Sequence, residues 1–464
     1  MRGSRVGPSG WVPAAILTTV VLVDSMDQGL VPGVLSQLQD EWGFSDALGG
    51  AIPTAALIVG FIALVPAGWV ADHLRRVRVL AVVVASWALL SVLSGLATSF
   101  VMFFVVRMTL GGASHVDNPV SSSLLADFYP PLARGRVFAV QRLAFVIGTG
   151  LGIGIGGVVG DWMGWRAAFF VVVVPGLVVA LLVATLREPE RGAMDTVTLG
   201  KDVAPTDGAS HEHPAAILEE IEDTAPHIGP TGVRAYLREF RGILDIPTVR
   251  TIYFGLTVTV LGFTGVAYWL PSYLERDFDL SDSGAAALTA AVAVTAGLLG
   301  AILGGTLGDR AEAGAAGARI RVTGIALLCG AALVVVGFSV QVLAVTAVVV
   351  GSGATLLSFA FPNLAAAAAD VLPSRRRGTG FAMFGFLLTL GSALGPLVIG
   401  GISEVSGSLQ LAILIAVLPA VPGSIVVLRG QRTFAADAAA ARGAPPGAPA
   451  PPDDAPDEVR DPAP

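Results

Sequence analysis

The chain has 464 residues, 54% of them hydrophobic and 14% charged, with a mean hydropathy of +0.74 and a formal net charge of −7. Such values exclude a soluble globular protein, and no nucleic-acid partner is expected. A single cysteine, Cys329, excludes an intramolecular disulfide and argues against a multi-cysteine metal site.

A helix needs about 20 apolar residues to span the hydrocarbon of a bilayer. In chain order such stretches fall at 13–34, 47–70, 79–98, 101–125, 137–160, 166–186, 250–270, 285–307, 320–339, 341–366, 379–402 and 409–428. This predicts an all-α membrane protein of twelve transmembrane helices. The first stretch contains Asp24 and Asp27, which break the pattern of a cleavable signal peptide. A carboxylate at mid-bilayer costs roughly 2.5 to 3.5 kcal/mol on insertion scales, so it marks a polar pathway through the membrane. The fourth stretch adds Arg107, Ser114, His115 and Asp117. Carboxylates and an arginine buried together are the groups that a proton-coupled carrier needs. Arg142, about five residues into the fifth stretch, is expected to snorkel to the inner interface.

Basic residues fix the expected orientation. With both termini in the cytoplasm, only Arg166 and Arg276 fall at the outer face and only Arg107 and Arg142 within helices. Residues 187–248 split the chain into two sets of six helices and end in Val233 to Leu244, whose apolar residues recur at helical intervals between arginines. That pattern predicts an amphipathic helix on the inner leaflet. His211 and His213, earlier in this loop, are read as solvated rather than as metal ligands. After Gln431 the Ala/Pro/Gly/Asp-rich composition predicts disorder. The expected organisation is a bundle at 1–186, a cytoplasmic linker at 187–248, a second bundle at 249–430 and a tail at 431–464.

The halves repeat. Residues 119–157 align without a gap on 362–400, matching Pro119, Asp127, Arg134 and Gly148 with Pro362, Asp370, Arg377 and Gly391. A duplicated six-helix unit places a solute site between the bundles near mid-membrane. The loop Gly68-Trp69-Val70-Ala71-Asp72-His73-Leu74-Arg75-Arg76 and its second copy, Gly305-Thr306-Leu307-Gly308-Asp309-Arg310, then stand at equivalent places. Glycines four apart at Gly148, Gly152 and Gly156 favour close helix contact, read as a sliding seam between the bundles.

These motifs resemble those of the major facilitator superfamily, with the loop copies similar to its G-x-x-x-D-R-x-x-R motif. The resemblance covers roughly 11–430 and implies two pseudo-symmetric bundles that work by alternating access. It also implies a cytoplasmic gate of Gly68, Asp72, Arg75, Arg76, Asp127, Arg134, Gly305, Asp309, Arg310 and Asp370. Asp24-Ser25-Met26-Asp27-Gln28, the helix from Arg107 to Pro119, and Trp269-Leu270-Pro271-Ser272-Tyr273-Leu274-Glu275-Arg276 further resemble spinster-like transporters. Ser114 stands at that group's glutamate position, and Asp117, on nearly the same helix face, is a replacement carboxylate.

The combined expectation is a proton-coupled secondary transporter of an organic, amphipathic or lysolipid-like solute, acting as a monomer in the plasma membrane without a cofactor. Asp24, Asp27, Arg107, Ser114, His115 and Asp117 would couple protons and hold the solute head. Tyr253, Phe254, Phe263, Phe359, Phe361 and Asn363 would line the cavity from the second half. Multidrug efflux and organic-acid/proton symport are the alternatives within the class, and a non-transporting receptor or scaffold lies outside it. No nucleophile and base converge on a recognisable motif, so an enzyme is not expected.

Overall fold

A computed structural model describes residues 10–190, 194, 233–373 and 376–442, without the side chains of 64–73, 115–116, 118–119, 131–132 and 233–237. The described residues form fifteen α-helices. The first six are α1 (Val12–Trp42), α2 (Asp46–His73), α3 (Arg76–Gly95), α4 (Phe100–Phe128), α5 (Pro131–Met163) and α6 (Trp165–Ala184). A short α7 (Val233–Leu244) precedes α8 (Pro247–Phe278), α9 (Asp282–Gly314), α10 (Ala318–Ser339), α11 (Leu343–Ser358) and α12 (Ala360–Val371). The chain then forms α13 (Arg377–Ser406), α14 (Leu409–Val417) and α15 (Ala420–Ala441).

Among the described residues, eleven spans are long and apolar enough to cross a membrane, and α4 adds a twelfth through its apolar stretch Phe100–Ser114. Leu343–Val371 is one of these spans, broken at Phe359 into α11 and α12, and Leu409–Ala441 is another, divided into α14 and α15. The fold is therefore twelve membrane-crossing helices in two bundles. Tight turns reverse the chain between helices. After α1, Gly43 takes a left-handed conformation (φ 64°) and returns its N–H to the Gln39 carbonyl, a helix end that a side chain would strain.

Small residues set the packing. A Cβ at Gly148 or Gly152 would overlap the backbone carbonyls of Leu22 and Met26, and one at Gly29 or Gly33 would overlap those of Thr149 and Ile153. The glycine row of α5 therefore seals α5 to α1 inside the first bundle. It is not the seam between bundles. That seam lies on another face of α5, where Gly150 meets Val294, Gly157 meets Ala286 and Val146 meets Gly297 of α9. A second seam joins α2 to α13, with Gly50 against the Pro396 carbonyl and Thr54 Oγ1 donating to the Ala393 carbonyl at 2.5 Å.

Two expected boundaries move. The composition after Gln431 predicts a tail, yet α15 runs on to Ala441 because Phe434 and Ala438 are buried and Asp437 accepts from the Thr248 backbone N–H at 2.9 Å. Helix α5 starts at Pro131, well before 137, because Pro130 and Pro131 form a natural helix entry. Arg142 thus lies three turns inside the helix. The loop with His211 and His213, and the chain beyond 442, are outside the described residues.

Candidate functional site

Two charged centres occupy the middle of the first bundle. In one, Arg107 of α4 donates from Nη1 to Asp27 Oδ2 at 2.7 Å and from Nη2 to the Asp27 carbonyl at 3.3 Å. Ser91 of α3 donates to Asp27 Oδ1 at 2.5 Å, and the guanidinium lies 5.7 Å from the Phe169 ring centroid of α6. Asp27 is 0% exposed and Arg107 5%. Both carboxylate oxygens are thus satisfied by groups from neighbouring helices, which binds four helices together.

The second centre is less closed. Asp24, one helical turn before Asp27, is half-buried and accepts from Ser114 Oγ and Gln28 Nε2, each at 2.7 Å. Asp117, three residues beyond Ser114, is buried and lies within the field of Asp24. It makes no ion pair with a described residue. Two carboxylates therefore stand within each other's field, Asp24 bonded to a hydroxyl and an amide, with Arg107 already taken by Asp27. The side chain of His115 lies outside the described residues.

At the end of the bundles where the termini lie, Arg76 makes the densest set of bonds. It reaches Asp127 at 2.5 Å, Ser123 at 2.8 Å, Glu188 at 3.1 Å and the Pro189 carbonyl at 3.1 Å. Glu188 also accepts from the backbone N–H groups of Arg76 and Val77 at the start of α3, a favourable place for a carboxylate. Arg75 is exposed, and Arg134 donates to the carbonyls of Tyr129 and Ala126 at 3.0 and 2.7 Å. The Gly68 and Asp72 side-chain environments are outside the described residues.

The second copy is looser. Arg319 takes the place of Arg76 but pairs with Asp309 at 2.7 Å, whose side chain is 75% exposed. Asp370, aligned with Asp127, is exposed, as is Arg310. The six residues by which the Asp309–Arg319 stretch exceeds the Asp72–Arg76 stretch let Arg319 turn back to its own loop. Gly305 has open space where a Cβ would stand, so close approach falls to Gly304 and Gly308, against Phe359 and Asn363.

The opposite end carries a gate that the motif reading missed. Arg276 of α8 grips both oxygens of Asp46 of α2 at 2.8 and 2.9 Å and reaches Gln39 Oε1 at 2.9 Å. Ser403 donates to Asp46 at 2.6 Å, Gln37 to Asp282 at 2.6 Å, and Ser36 to Glu275. The Tyr268 hydroxyl donates to the Gly49 carbonyl at 2.9 Å. Each of these contacts joins one half to the other. The available signal was Arg276 itself, one of two arginines on that face.

The second-half cavity candidates divide. Tyr253 is buried with its hydroxyl on the Gly380 carbonyl, Phe359 packs on Gly304, and Asn363 donates to the carbonyls of Gly304 and Phe359. These three are structural: they hold helices of their own bundle together. Phe254 is 44% exposed. Phe263 and Phe361 are half-buried, and Phe361 carries the Arg142 guanidinium 5.7 Å from its ring centroid.

Comparison with known proteins agrees with this architecture. A family model described as Major Facilitator Superfamily matches residues 17–396. A gallate transporter of Pseudomonas putida is 27% identical over 427 residues, covering 90% of this chain and 91% of that one. Protein spinster of Drosophila melanogaster is 25% identical over 192 residues, 41% of this chain and 32% of that protein. Among solved structures, a bacterial homolog of the human lysosomal transporter Spinster, inward-facing and unoccupied, superimposes with a TM-score of 0.75 at 21% identity over 94% of this chain and 99% of that one. The chain belongs to the Major Facilitator Superfamily of membrane transporters, with spinster proteins among its relatives.

Proposed function

We propose that the chain is a proton-coupled secondary transporter of organic acids, moving its solute by rocking the two bundles about a central site. The observation that carries this reading is the Asp24–Asp117 pair, two carboxylates in one buried site beside an arginine committed elsewhere. Like charges so close disfavour simultaneous ionisation, so the pair binds and releases a proton as its surroundings change. Ser114 and Gln28 both donate to Asp24, and the Ser114 hydroxyl can hold it in either state, since a hydroxyl can donate or accept.

Asp27 and Arg107 serve as the fixed frame of this site. The ties between Arg276 and Asp46, Gln37 and Asp282, and Ser36 and Glu275 close one end of the solute path. With the arginine-rich loops in the cytoplasm and both termini there, the closed end faces outward and the site opens inward. A plasma-membrane monomer fits this arrangement.

The organic-acid reading is supported by the gallate transporter, which aligns along nearly the whole chain. An amphipathic, lysolipid-like cargo is the second reading, favoured by the spinster relatives. Its proposed tail surface loses Tyr253, Phe359 and Asn363 to packing within the second bundle. The test is uptake into proteoliposomes under an imposed pH gradient, comparing gallate, cis,cis-muconate and a lysophospholipid. Concentrative uptake of an acid, lost in Asp24→Asn, is expected; accumulation that ignores the pH gradient would refute the coupling.

A further inference from the structure

Arg142 is the charged side chain of the transmembrane region that the proton site and the gates do not use. It sits three turns into α5 and is exposed, and among the described residues it has no carboxylate within ion-pair distance. Its guanidinium lies 5.3 Å from the ring centroid of Phe145 on the same helix and 5.7 Å from that of Phe361 on α12 in the other bundle. The neighbouring Gln141 buries its Nε2 without a hydrogen-bond partner.

The position of Arg142 on the helix decides where it faces. Residues 142, 146, 150 and 154 form one stripe at four-residue spacing, and Val146, Gly150 and Gly154 meet α9 of the second bundle through Gly297, Val294 and Ala290. Arg142 continues that stripe toward the terminal end, where its guanidinium meets Phe361 of the second bundle. Gly148, six residues further along α5, packs on Leu22 and Ser25 of α1. At a rise of about 1.5 Å per residue, Arg142 therefore stands roughly 9 Å along the axis from the level of Asp24.

A guanidinium kept in a membrane-spanning region without a counter-carboxylate is a functional-site candidate whose natural partner is an anion. Its flat fork matches a carboxylate at two points, which an ammonium does not. The flanking rings offer faces against which a second flat group can stack. Taken together, the geometry points to a cargo site for a planar aryl carboxylate, with Arg142 binding the carboxylate and Phe145 and Phe361 contacting the ring. This assignment rests on the organic-acid reading and names the substrate class and the residues for it. Because Phe361 belongs to the other bundle, such a cargo touches both halves at once, and its departure frees them to move.

The test uses the purified full chain in lipid nanodiscs, with benzoate and its neutral isostere benzamide as probes for calorimetric binding. Benzoate should bind at least about tenfold more tightly than benzamide, and Arg142→Gln should erase that preference. Arg142→Lys should restore it in part, since charge returns without the fork. Phe361→Leu should weaken benzoate a few-fold while keeping the preference for charge, and it reports on the site even if the arginine variants do not fold. Equal binding of the two probes, binding of neither, or benzoate affinity unchanged in both Arg142→Gln and Phe361→Leu overturns the assignment. Proton-driven flux measured alongside separates the two claims. Flux of some other solute with no Arg142-dependent benzoate binding removes this cargo and leaves proton coupling intact. Arg142-dependent binding without proton-linked flux of any solute removes the coupling and leaves the anion site.

Discussion

Arg107 holds Asp27 at two points, the side-chain carboxylate at 2.7 Å and the backbone carbonyl of the same residue at 3.3 Å. A carboxylate that took up and released a proton during each cycle would have to release this grip each time, in a place with no exposed surface. The neighbouring Asp24 has no such restraint: its hydrogen-bond partners are neutral, and it is only half-buried. On the proposed reading, the proton role therefore falls to Asp24 with Asp117, and Asp27 belongs to the frame.

Asp27→Asn should be a folding variant before it is a transport variant. Removing the carboxylate leaves the Arg107 guanidinium buried without a counter-charge, which typically costs about 3–5 kcal/mol. A clear loss of thermal stability in detergent is expected, partly recovered when Arg107→Gln is added. Wild-type stability of Asp27→Asn would show that the pair is not the frame described.

Asp24→Asn and Asp117→Asn should instead fold and bind solute but fail to concentrate it. With one carboxylate made permanently neutral, the other loses the like charge that keeps a proton on the pair, so the link between proton and solute is cut. The measurement is a pair of assays in proteoliposomes: accumulation under an imposed pH gradient, which should fall to equilibration, and solute exchange at equal pH, which should persist. Accumulation at the wild-type level in both variants would remove the pair from the mechanism.

The sequence disclosed the twelve spans because each is a long, largely apolar run, and the buried charges because a bilayer makes them conspicuous. Pairings across helices were less accessible. Asp27 with Arg107 was legible as a shared depth, but nothing in the spacing told which of Asp24 and Asp27 would take the arginine. The Asp46–Arg276 tie joins residues at ordinary helix ends in different halves, where a charge raises no alarm. Arg142 looked interfacial because the apolar run begins at 137, whereas prolines start the helix at Pro131.

Arg276→Gln should loosen the closed end. The pair with Asp46 is part exposed, with 38% of the arginine side chain open, so its own worth is modest, about 0.5–1 kcal/mol. That energy corresponds to a few-fold shift in the balance of open and closed ends. In a Cys329→Ser background, a cysteine placed at Ser36 should be labelled a few-fold faster by a membrane-impermeant maleimide once Arg276 is replaced. An unchanged labelling rate would mean that the tie does not hold the gate.

The two copies of the loop gate should respond unequally. Arg76 is 2% exposed and bonds to Asp127, Ser123, Glu188 and Pro189, whereas Arg319 has one exposed acid and leaves its Nε without a partner. Arg76→Gln breaks the buried ion pair with Asp127 together with the bonds to Glu188 and Pro189 and should cost several kcal/mol, while Arg319→Gln should stay within about 1 kcal/mol. Thermal unfolding of the two variants side by side checks this, and equal losses would mean that the second copy is as tightly held as the first.

Glycine substitutions separate packing from mere motif membership. At Gly152 an added methyl would overlap the Met26 carbonyl, and neither backbone can withdraw without opening the α1–α5 contact that positions Asp24. Gly152→Ala should therefore destabilise by about 1–3 kcal/mol and disturb proton coupling with it. At Gly305, the glycine that the loop motif singles out, a Cβ meets nothing within 4 Å and the residue lies inside α9. Gly305→Ala should stabilise by about 0.5–1 kcal/mol, because alanine loses less backbone freedom on entering a helix, and transport should continue. A loss of transport in Gly305→Ala without loss of stability would show that this face of α9 meets another surface when the gate closes, a contact absent from the present arrangement.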